Sequence, residues 1–270
     1  MPSAPPSTAL PAPVLPAQTL AAPPGWSAVE CISDLHLQAS EPQTLAAWQH
    51  YLHASRASAI FILGDLLEAW VGDDALQEPG SFEAACAATL RVASQQRPIY
   101  FMVGNRDFLA GADFLHAGGM QGLADPTLFV WGPQRILLSH GDALCLDDVE
   151  YQQFRAISRN PAWQQQLLTR PLAERRALAH HLRSESEQRK QSGAEYADAD
   201  AVLVQHWLAQ TQAHTLIHGH THRPADHALP DGKTRVVLSD WHCDDPAPRA
   251  EVLRITPDGR WQRIPLTDYS

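Results

Sequence analysis

The chain has 270 residues, 44% of them hydrophobic, and a formal net charge of −10 at pH 7, which fits one large domain or one and a half. The acidic balance excludes a generally basic nucleic-acid-binding surface, so no nucleic-acid partner is expected. The four cysteines are scattered without a Cys-x-x-Cys pair, which argues against a zinc cage or a disulfide framework and favours a reducing cytoplasm.

Residues 1–25 are rich in Ala and Pro and contain no charged side chain. A secretory signal would begin with Lys or Arg and would carry a denser apolar stretch. Pro-rich sequence with few aromatic residues cannot bury enough surface to fold. We therefore predict a disordered tail over residues 1–25, unless the start site lies further along, and a folded domain over residues 26–270. No apolar run approaches the roughly 20 residues that a membrane span needs.

Short runs of β-forming residues alternate with helical patterns in the folded part. Helices are predicted over residues 41–56 and, with Ser81 as the N-cap, through about Ser94. Strands are predicted at residues 29–32, 59–63, 99–103, 135–138, 215–217, 236–238, 251–255 and 261–264. The alternation indicates an α/β fold, and the last strands lack helices between them. We therefore predict a layered α/β sandwich of two mixed β-sheets flanked by helices.

Polar clusters directly follow five of these strands. They are Asp34-x-His36, Gly64-Asp65, Gly104-Asn105-Arg106, His140-Gly141-Asp142 and His218-Gly219-His220. In α/β folds, ligands bind beyond the carboxyl ends of the strands, so we expect these side chains to converge. Each motif alone is more often a turn or a satisfied polar side chain, but five of them in order at strand ends are hard to obtain by chance.

The clustered side chains are carboxylate, imidazole and amide groups, in a number that suits two divalent cations about 3.5–4 Å apart. The candidate ligands are Asp34, His36, Asp65, Asn105, His140, His218 and His220. Asp65 suits a shared position because a carboxylate has two oxygens. This ligand set fits Mn²⁺, Fe²⁺ or Zn²⁺, and the lack of thiolate disfavours a purely zinc-type site. His222 is grouped with the remaining histidines as a surface or structural residue, although it lies next to the predicted pair.

Two adjacent cations of this kind hydrolyse phosphate esters, because both polarise the phosphoryl group and the water they acidify attacks phosphorus in line. Arg106 follows Asn105 and could hold a phosphate in a fork of hydrogen bonds. We therefore predict Asn105 and Arg106 as catalytic residues. No covalent intermediate is required.

Residues 149–209 differ from the rest, because they show a nearly continuous helical pattern broken only at Asn160-Pro161 and Arg170-Pro171. Between Arg155 and Lys190, eight positive and three negative side chains give this segment a net positive charge. We predict a helical insertion that forms a cap beside the polar clusters. A basic amphipathic cap suggests an anionic, membrane-resident substrate, but a solvated helix face explains the same pattern.

The order of the motifs, from Asp-x-His to Gly-His-Thr-His, resembles that of the calcineurin-like metallophosphoesterase superfamily. Arg106 stands where most of that superfamily has His. Longer stretches are similar to one branch, the UDP-2,3-diacylglucosamine diphosphatase family of lipid A biosynthesis. These stretches are residues 101–108, 123–127, 140–155, 159–163, 171–172, 218–224 and 239–241. The resemblance therefore covers the cap as well as the metal core.

The resemblance implies two Mn²⁺ on the seven candidate ligands and hydrolysis of the pyrophosphate of UDP-2,3-diacylglucosamine. The implied products are UMP and 2,3-diacylglucosamine 1-phosphate (lipid X), formed when water attacks the phosphate next to uridine. It also implies a monomeric, peripheral protein on the cytoplasmic face of the bacterial inner membrane, with a cap that binds acyl chains. The implied substrate contacts are Asn105, Arg106, Asp148, Ser186, Lys190 and His218. Gly193 stands where the family usually has Lys, and Lys190, three residues earlier, is the candidate to substitute for it.

Two other functions stay open. The same metal core could act on a cyclic nucleotide, a dinucleotide or a phosphoprotein, although a small soluble substrate needs no amphipathic cap. The chain could also be a non-enzymatic scaffold that has lost its metals, although the complete ligand set argues against this.

Overall fold

The structure is a computed structural model that describes residues 15–191 and 197–269, without the side chains of residues 185–191. Its strands are β1 (Gln18–Ala21), β2 (Val29–Ile32), β3 (Ala59–Leu63), β4 (Ile99–Met102), β5 (Gln121–Leu123), β6 (Thr127–Trp131), β7 (Gln134–Leu138), β8 (Thr215–His218), β9 (Ala225–Ala228), β10 (Thr234–Val237), β11 (Glu251–Ile255) and β12 (Trp261–Pro265). Its helices are α1 (Pro42–Ala54), α2 (Phe82–Ser94), α3 (Ala112–Gly118), α4 (Val149–Ser158), α5 (Pro161–Leu168), α6 (Leu172–Gln191) and α7 (Ala201–Gln210).

The strands form two six-stranded mixed sheets, which confirms the predicted sandwich. One sheet has the order β12-β11-β2-β3-β4-β5, with β2 to β5 parallel and β11 antiparallel to both neighbours. Every residue of β2, β3 and β4 is buried, because helices cover one face of this sheet and the second sheet covers the other. This double coverage explains why β3 and β4 are continuous apolar runs and why even Glu30 of β2 is buried.

The second sheet has the order β1-β6-β7-β8-β10-β9 and carries α7 on its outer face. Val204, Trp207 and Leu208 of α7 pack against Leu137 and Leu216 of the sheet. Helix α7 is therefore part of the sandwich. The cap consists of α4, α5 and α6 alone, so it is shorter than the predicted insertion over residues 149–209.

Strand β1 corrects the prediction of a disordered tail. Residues 18–21 pair in parallel with β6 at the edge of the second sheet. Beyond β1, the Trp26 ring lies 6.5, 6.3 and 6.3 Å from the rings of Phe61, Tyr100 and Phe129, measured between centroids. The order of this segment comes from distant partners, which local composition does not reveal. The first part of the predicted tail, residues 1–14, lies outside the described residues.

The positive side chains of the cap face acidic groups of the sandwich and its loops. The ion pairs are Arg155 and Arg159 with Asp142, Arg175 with Asp74, Arg176 with Glu78 and Glu83, and Arg183 with Glu68. Five of the eight positive charges between residues 155 and 190 thus attach the cap to the core. The basic character of the cap has this internal cause, and neither a solvated face nor an anionic ligand is needed to explain it. Among the described residues, no helix has both the length and the apolar character that crossing a membrane requires.

We expect Trp26→Ala to lower the free energy of unfolding by about 2–3 kcal/mol, somewhat less than a fully buried Trp would cost, because Trp26 is half-buried. Urea denaturation measures this change. The control is Val92→Ala on α2, where the side chain is 61% exposed and the expected change is below about 0.5 kcal/mol. Equal stability of the two variants would contradict the contribution of the segment between β1 and β2 to the core.

Candidate metal centre and adjoining cavity

Three side chains from the loops after β2 and β8 form the first half-site, which we define as Asp34, His36 and His222. Their ligand atoms all lie within 4.8 Å of one another. The Nε2 atoms of His36 and His222 are 3.3 Å apart, and His222 Nε2 is 3.6 Å from Asp34 Oδ1. Each imidazole donates its Nδ1–H to a carboxylate: His36 to Glu68 at 2.8 Å and His222 to Asp240 at 3.1 Å. These contacts leave both Nε2 atoms facing the same point.

The second half-site consists of Asn105, His140 and His220, from the loops after β4, β7 and β8. Asn105 Oδ1 lies 2.9 Å from His140 Nε2 and 2.8 Å from His220 Nδ1. His140 donates its Nδ1–H to the carbonyl of Leu63 at 2.9 Å, so its Nε2 points into the site. Burial, together with the nearby charge of His140, lowers the pKa of His220 to about 3, which keeps that ring neutral and able to act as a ligand.

Asp65 lies between the two half-sites. Its Oδ2 is 3.9 Å from His36 Nε2, and its Oδ1 is 3.7 Å from His140 Nε2. The backbone N–H of Arg106 donates to Oδ1 at 2.8 Å and fixes the carboxylate plane. One oxygen faces each half-site, which is the arrangement predicted for a shared ligand.

The geometry favours the pair His220 and His222 over the predicted pair His218 and His220, because His222 lies with Asp34 and His36. His218 is still part of β8, and its carbonyl accepts a hydrogen bond from Leu238 N at 2.7 Å. Its ring is buried, its Nδ1 donates to the carbonyl of Gly219 at 2.8 Å, and its Nε2 has no hydrogen-bond partner in the described part of the chain. His218 makes none of the contacts that join the two half-sites, which disfavours it as a metal ligand, and its substrate contact stays a prediction.

A glycine directly before a ligand is the sequence signal that favours the pair His220 and His222. A Cβ on Gly64, the residue before Asp65, would lie 2.5 Å from His140 Nδ1. A Cβ on Gly219 would lie 2.1 Å from Asp34 Oδ2. In both loops, only glycine allows the backbones to approach closely enough for their side chains to meet. By the same rule, the ligand pair in the last loop is the one that follows Gly219.

Backbone strain is concentrated at the same residues. Five of the seven non-glycine residues with positive φ in the described chain belong to the half-sites or to Asp65, namely Asp34 (56°), His36 (49°), Asp65 (51°), His220 (66°) and His222 (53°). Such conformations cost on the order of 1–3 kcal/mol each and persist where the surrounding structure enforces them, often at functional sites. The loops therefore hold these side chains in place at a cost in stability.

The charges of the site are strongly coupled. Burial opposes protonation of His140, but the carboxylates of Asp65 and Asp34 outweigh it and raise its pKa to about 9. Burial also opposes protonation of His222, but the carboxylates of Asp240 and Asp34 outweigh it and raise its pKa to about 10. The protons on these imidazoles balance the buried carboxylates. A bound divalent cation would supply the same compensation and displace the protons.

The residues fit divalent metal ions. Each half-site offers three nitrogen or oxygen ligands, and Asp65 adds one oxygen to each. Asp34 Oδ1 is a buried carboxylate oxygen that has no hydrogen-bond partner among the described residues, and a cation would satisfy it. A set of imidazole, carboxylate and amide ligands without thiolate is typical of sites for borderline divalent metals.

Arg106 lies where the metal centre meets an adjoining cavity. Its Nη1 is 3.7 Å from Glu68 Oε1. Its Nε is buried without a hydrogen-bond partner in the described structure, although a buried guanidinium N–H ordinarily has one. Arg106 thus has a donor available for an anionic ligand.

The remaining predicted substrate contacts are Asp148, Ser186 and Lys190. Asp148 borders the cavity, and its Oδ1 accepts a hydrogen bond from Tyr151 N at 3.1 Å, which caps α4. Ser186 and Lys190 belong to α6, but their side chains lie outside the described residues. Gly193 also lies outside them. The proposed contacts of these three positions therefore stay predictions.

The cavity lies between the second half-site and the cap and has a volume of about 250 Å³. Asn105 and Arg106 line its polar end. The three cap helices contribute the apolar side chains Phe154, Trp163, Leu167, Leu178 and Leu182. The cavity can thus accept a molecule with an anionic group at one end and apolar chains at the other.

Comparison with known proteins agrees with this geometry. Residues 29–224 match the family model of the calcineurin-like phosphoesterases. A UDP-2,3-diacylglucosamine hydrolase from Chromobacterium violaceum is 50% identical over 224 residues, which is 80% of this chain and 91% of that protein. The protein of the same name from Bordetella pertussis is 43% identical over 84% of this chain and 91% of its own length. Among solved structures, a Vps29 mutant from Entamoeba histolytica is 14% identical, with a TM-score of 0.44 over 88% of this chain and 98% of that chain. The chain belongs to the calcineurin-like phosphoesterases and, within them, to the UDP-2,3-diacylglucosamine hydrolase family.

Proposed function

We propose that the protein hydrolyses the pyrophosphate bond of UDP-2,3-diacylglucosamine to UMP and 2,3-diacylglucosamine 1-phosphate, a step of lipid A biosynthesis in which water attacks the phosphate next to uridine. The observation that carries this proposal is the cavity that joins the metal centre to an apolar space inside the cap. A substrate with a diphosphate at one end and two acyl chains at the other matches both ends. The relatives named UDP-2,3-diacylglucosamine hydrolase support the same reaction.

The proposed cofactor is a pair of Mn²⁺ ions. One would be held by Asp34, His36 and His222, the other by Asn105, His140 and His220, and Asp65 would be shared. Divalent cations at such a site polarise a phosphoryl group and acidify water. The chain itself orients the ligands, because Glu68 and Asp240 accept the Nδ1–H groups of His36 and His222 and thereby direct the Nε2 atoms inward.

Arg106 is proposed to bind the phosphoryl oxygens. Its guanidinium lies beside Asn105 at the polar end of the cavity, with the unpartnered Nε described above. A charged donor that is already in place stabilises the negative charge that develops during in-line attack without reorganising first. Arg106 is therefore assigned to the substrate and Asn105 to both the metal and the substrate.

The cap is proposed to bind the acyl chains. The apolar side chains of α4, α5 and α6 face the cavity, and burying the chains there gains about 0.8 kcal/mol per methylene. A cyclic nucleotide, a dinucleotide or a phosphoprotein would leave this apolar surface unused. The cap thus favours the acylated sugar nucleotide over these soluble substrates.

We further propose a monomeric, peripheral protein on the cytoplasmic face of the inner membrane. Tyr151 and Phe154 of α4 line the cavity, whereas Val149 and Ile157 of the same helix are 59% and 50% exposed. An exposed apolar face beside an acyl-chain cavity suits contact with a lipid surface. Both half-sites and the cavity are complete within one chain, so the proposed reaction requires no second copy.

The direct test is incubation of the purified protein with UDP-2,3-diacylglucosamine and Mn²⁺. We expect stoichiometric release of UMP, its loss on metal removal with a chelator, and its return when Mn²⁺ is added back. UDP-N-acetylglucosamine, which lacks the long acyl chains, should be cleaved at least about 100-fold less efficiently because it leaves the cap empty. Turnover of simple phosphodiesters without turnover of the acylated sugar nucleotide would refute the proposed substrate.

Separate replacement of His218 and His222 tests which of the two binds metal. We expect His222→Ala to weaken Mn²⁺ binding by about 100-fold or more, since loss of an outer-shell partner alone commonly costs 10–100-fold. His218→Ala is the matched control, two residues earlier in the chain, and should change the Mn²⁺ affinity by less than about threefold. Titration of free Mn²⁺ by electron paramagnetic resonance measures both. A larger loss of Mn²⁺ affinity in His218→Ala than in His222→Ala would instead support the pair His218 and His220.

Arg106→Ala should leave the bound metal unchanged and lower kcat by about 100- to 1000-fold, the usual cost of removing one preorganised donor to developing charge. The measurements are metal analysis and steady-state kinetics on the same preparation. Arg170→Ala, at an exposed position between α5 and α6, serves as the control and should keep both values. An unaltered kcat in Arg106→Ala would remove Arg106 from the substrate site.

A further inference from the structure

Glu68 lies in the loop after β3, three residues beyond Asp65. Its backbone N–H donates to the carbonyl of Leu37 at 3.1 Å, which joins its loop to the loop that carries His36. Its side chain is only 12% exposed and borders the cavity. The proposed function uses this carboxylate only to orient His36, although it also lies between the metal centre and the cap.

The two oxygens of Glu68 have different partners. Oε2 accepts the Nδ1–H of His36 at 2.8 Å. Oε1 lies 3.2 Å from Arg183 Nε and 3.7 Å from Arg106 Nη1. One carboxylate therefore contacts a proposed metal ligand, a proposed phosphate-binding arginine and an arginine of the cap.

Arg183 connects this carboxylate to the wall of the acyl cavity. It belongs to α6, directly after Leu182, whose side chain lines the apolar end of the cavity. Arg183 also donates from Nη1 to Gln38 Oε1 at 2.8 Å. A displacement of α6 that widens or narrows the cavity would therefore move Arg183 relative to Glu68.

We propose that Glu68 is a positioning residue that aligns His36 and Arg106 and couples their alignment to the position of the cap helix α6. This inference rests on the proposed function, because it assigns His36 to a metal ion and Arg106 to phosphate. When α6 is in place, Arg183 holds Oε1, and the carboxylate keeps Oε2 on His36. A substrate whose acyl chains fill the cap therefore favours the catalytically aligned state of the distant metal ligand.

The first test uses Glu68→Gln, which keeps the size of the side chain and removes its charge. Glu78→Gln is the matched control, because Glu78 also pairs with an arginine of α6, Arg176, at 2.6 Å. The Glu78 side chain is 46% exposed, and its ion pair does not involve His36. We expect Glu68→Gln to weaken Mn²⁺ binding by about 10- to 100-fold and Glu78→Gln to leave it unchanged within about twofold. Free Mn²⁺ is measured by electron paramagnetic resonance, without reference to activity.

The outcomes separate the inference from the proposed function. If the wild-type protein binds no Mn²⁺, the proposed metal centre fails. If the wild type binds Mn²⁺ and Glu68→Gln binds it equally well, the role of Glu68 is refuted. Should circular dichroism show that Glu68→Gln does not fold, Glu68→Asp takes its place. This variant retains the charge at a shorter reach, and we expect a loss of about 3- to 10-fold, whereas wild-type affinity would refute the role of Glu68.

The second test measures the coupling to the cap. Arg183→Met removes the contact from α6 without touching His36, so we expect Mn²⁺ affinity within about threefold of wild type and a KM for UDP-2,3-diacylglucosamine raised about 5- to 10-fold. In the Glu68→Gln background, Arg183→Met should change KM by less than about twofold, because the contact is already lost. Independent effects of the two substitutions on KM would overturn the coupling.

Discussion

The carboxylate of Asp65 is the contact on which the arrangement of the metal centre depends. One of its oxygens faces His36 and the other faces His140, so it joins ligands from the two sheets of the sandwich. Concentrating carboxylates and imidazoles at this point is costly, because burial removes the hydration of every charged group. The positive φ angles of the surrounding loops add strain. Divalent ions would offset both costs, which explains why so polar a site is kept at the junction of two apolar sheets.

The cap is held by a second set of charge contacts. Arg155 and Arg159 pair with Asp142, whose pKa lies far below its ordinary value because these guanidiniums outweigh the effect of burial. Arg159 also donates to the carbonyl of Gly104 at 2.9 Å, directly before Asn105. The first cap helix is therefore attached to two of the loops that supply metal ligands, and α6 is attached to a third through Glu68. The cap and the metal centre are therefore joined by direct contacts.

The sequence predicted the parts of the fold that local pattern determines. Strands β3 and β4 are continuous apolar runs because both faces of their sheet are covered. Ser81 was identified as an N-cap, and its hydroxyl accepts the Ala84 N–H of α2 at 3.1 Å. Strands β1, β5, β6 and β9 were missed. Strand β1 lies in Ala/Pro-rich sequence and is ordered by pairing with β6, a non-local contact that composition does not report.

For the metal centre, the sequence predicted His218 and His220 as ligands and grouped His222 with the surface or structural histidines. The geometry favours His220 and His222, because both follow the turn at Gly219 and lie among the other candidate ligands, whereas His218 is still part of β8. Crystals soaked in Mn²⁺ and measured at the manganese absorption edge test the central claim most directly. We predict two anomalous peaks, one among Asp34, His36 and His222 and one among Asn105, His140 and His220, with Asp65 between them. A single peak, or a peak at His218, would contradict the account.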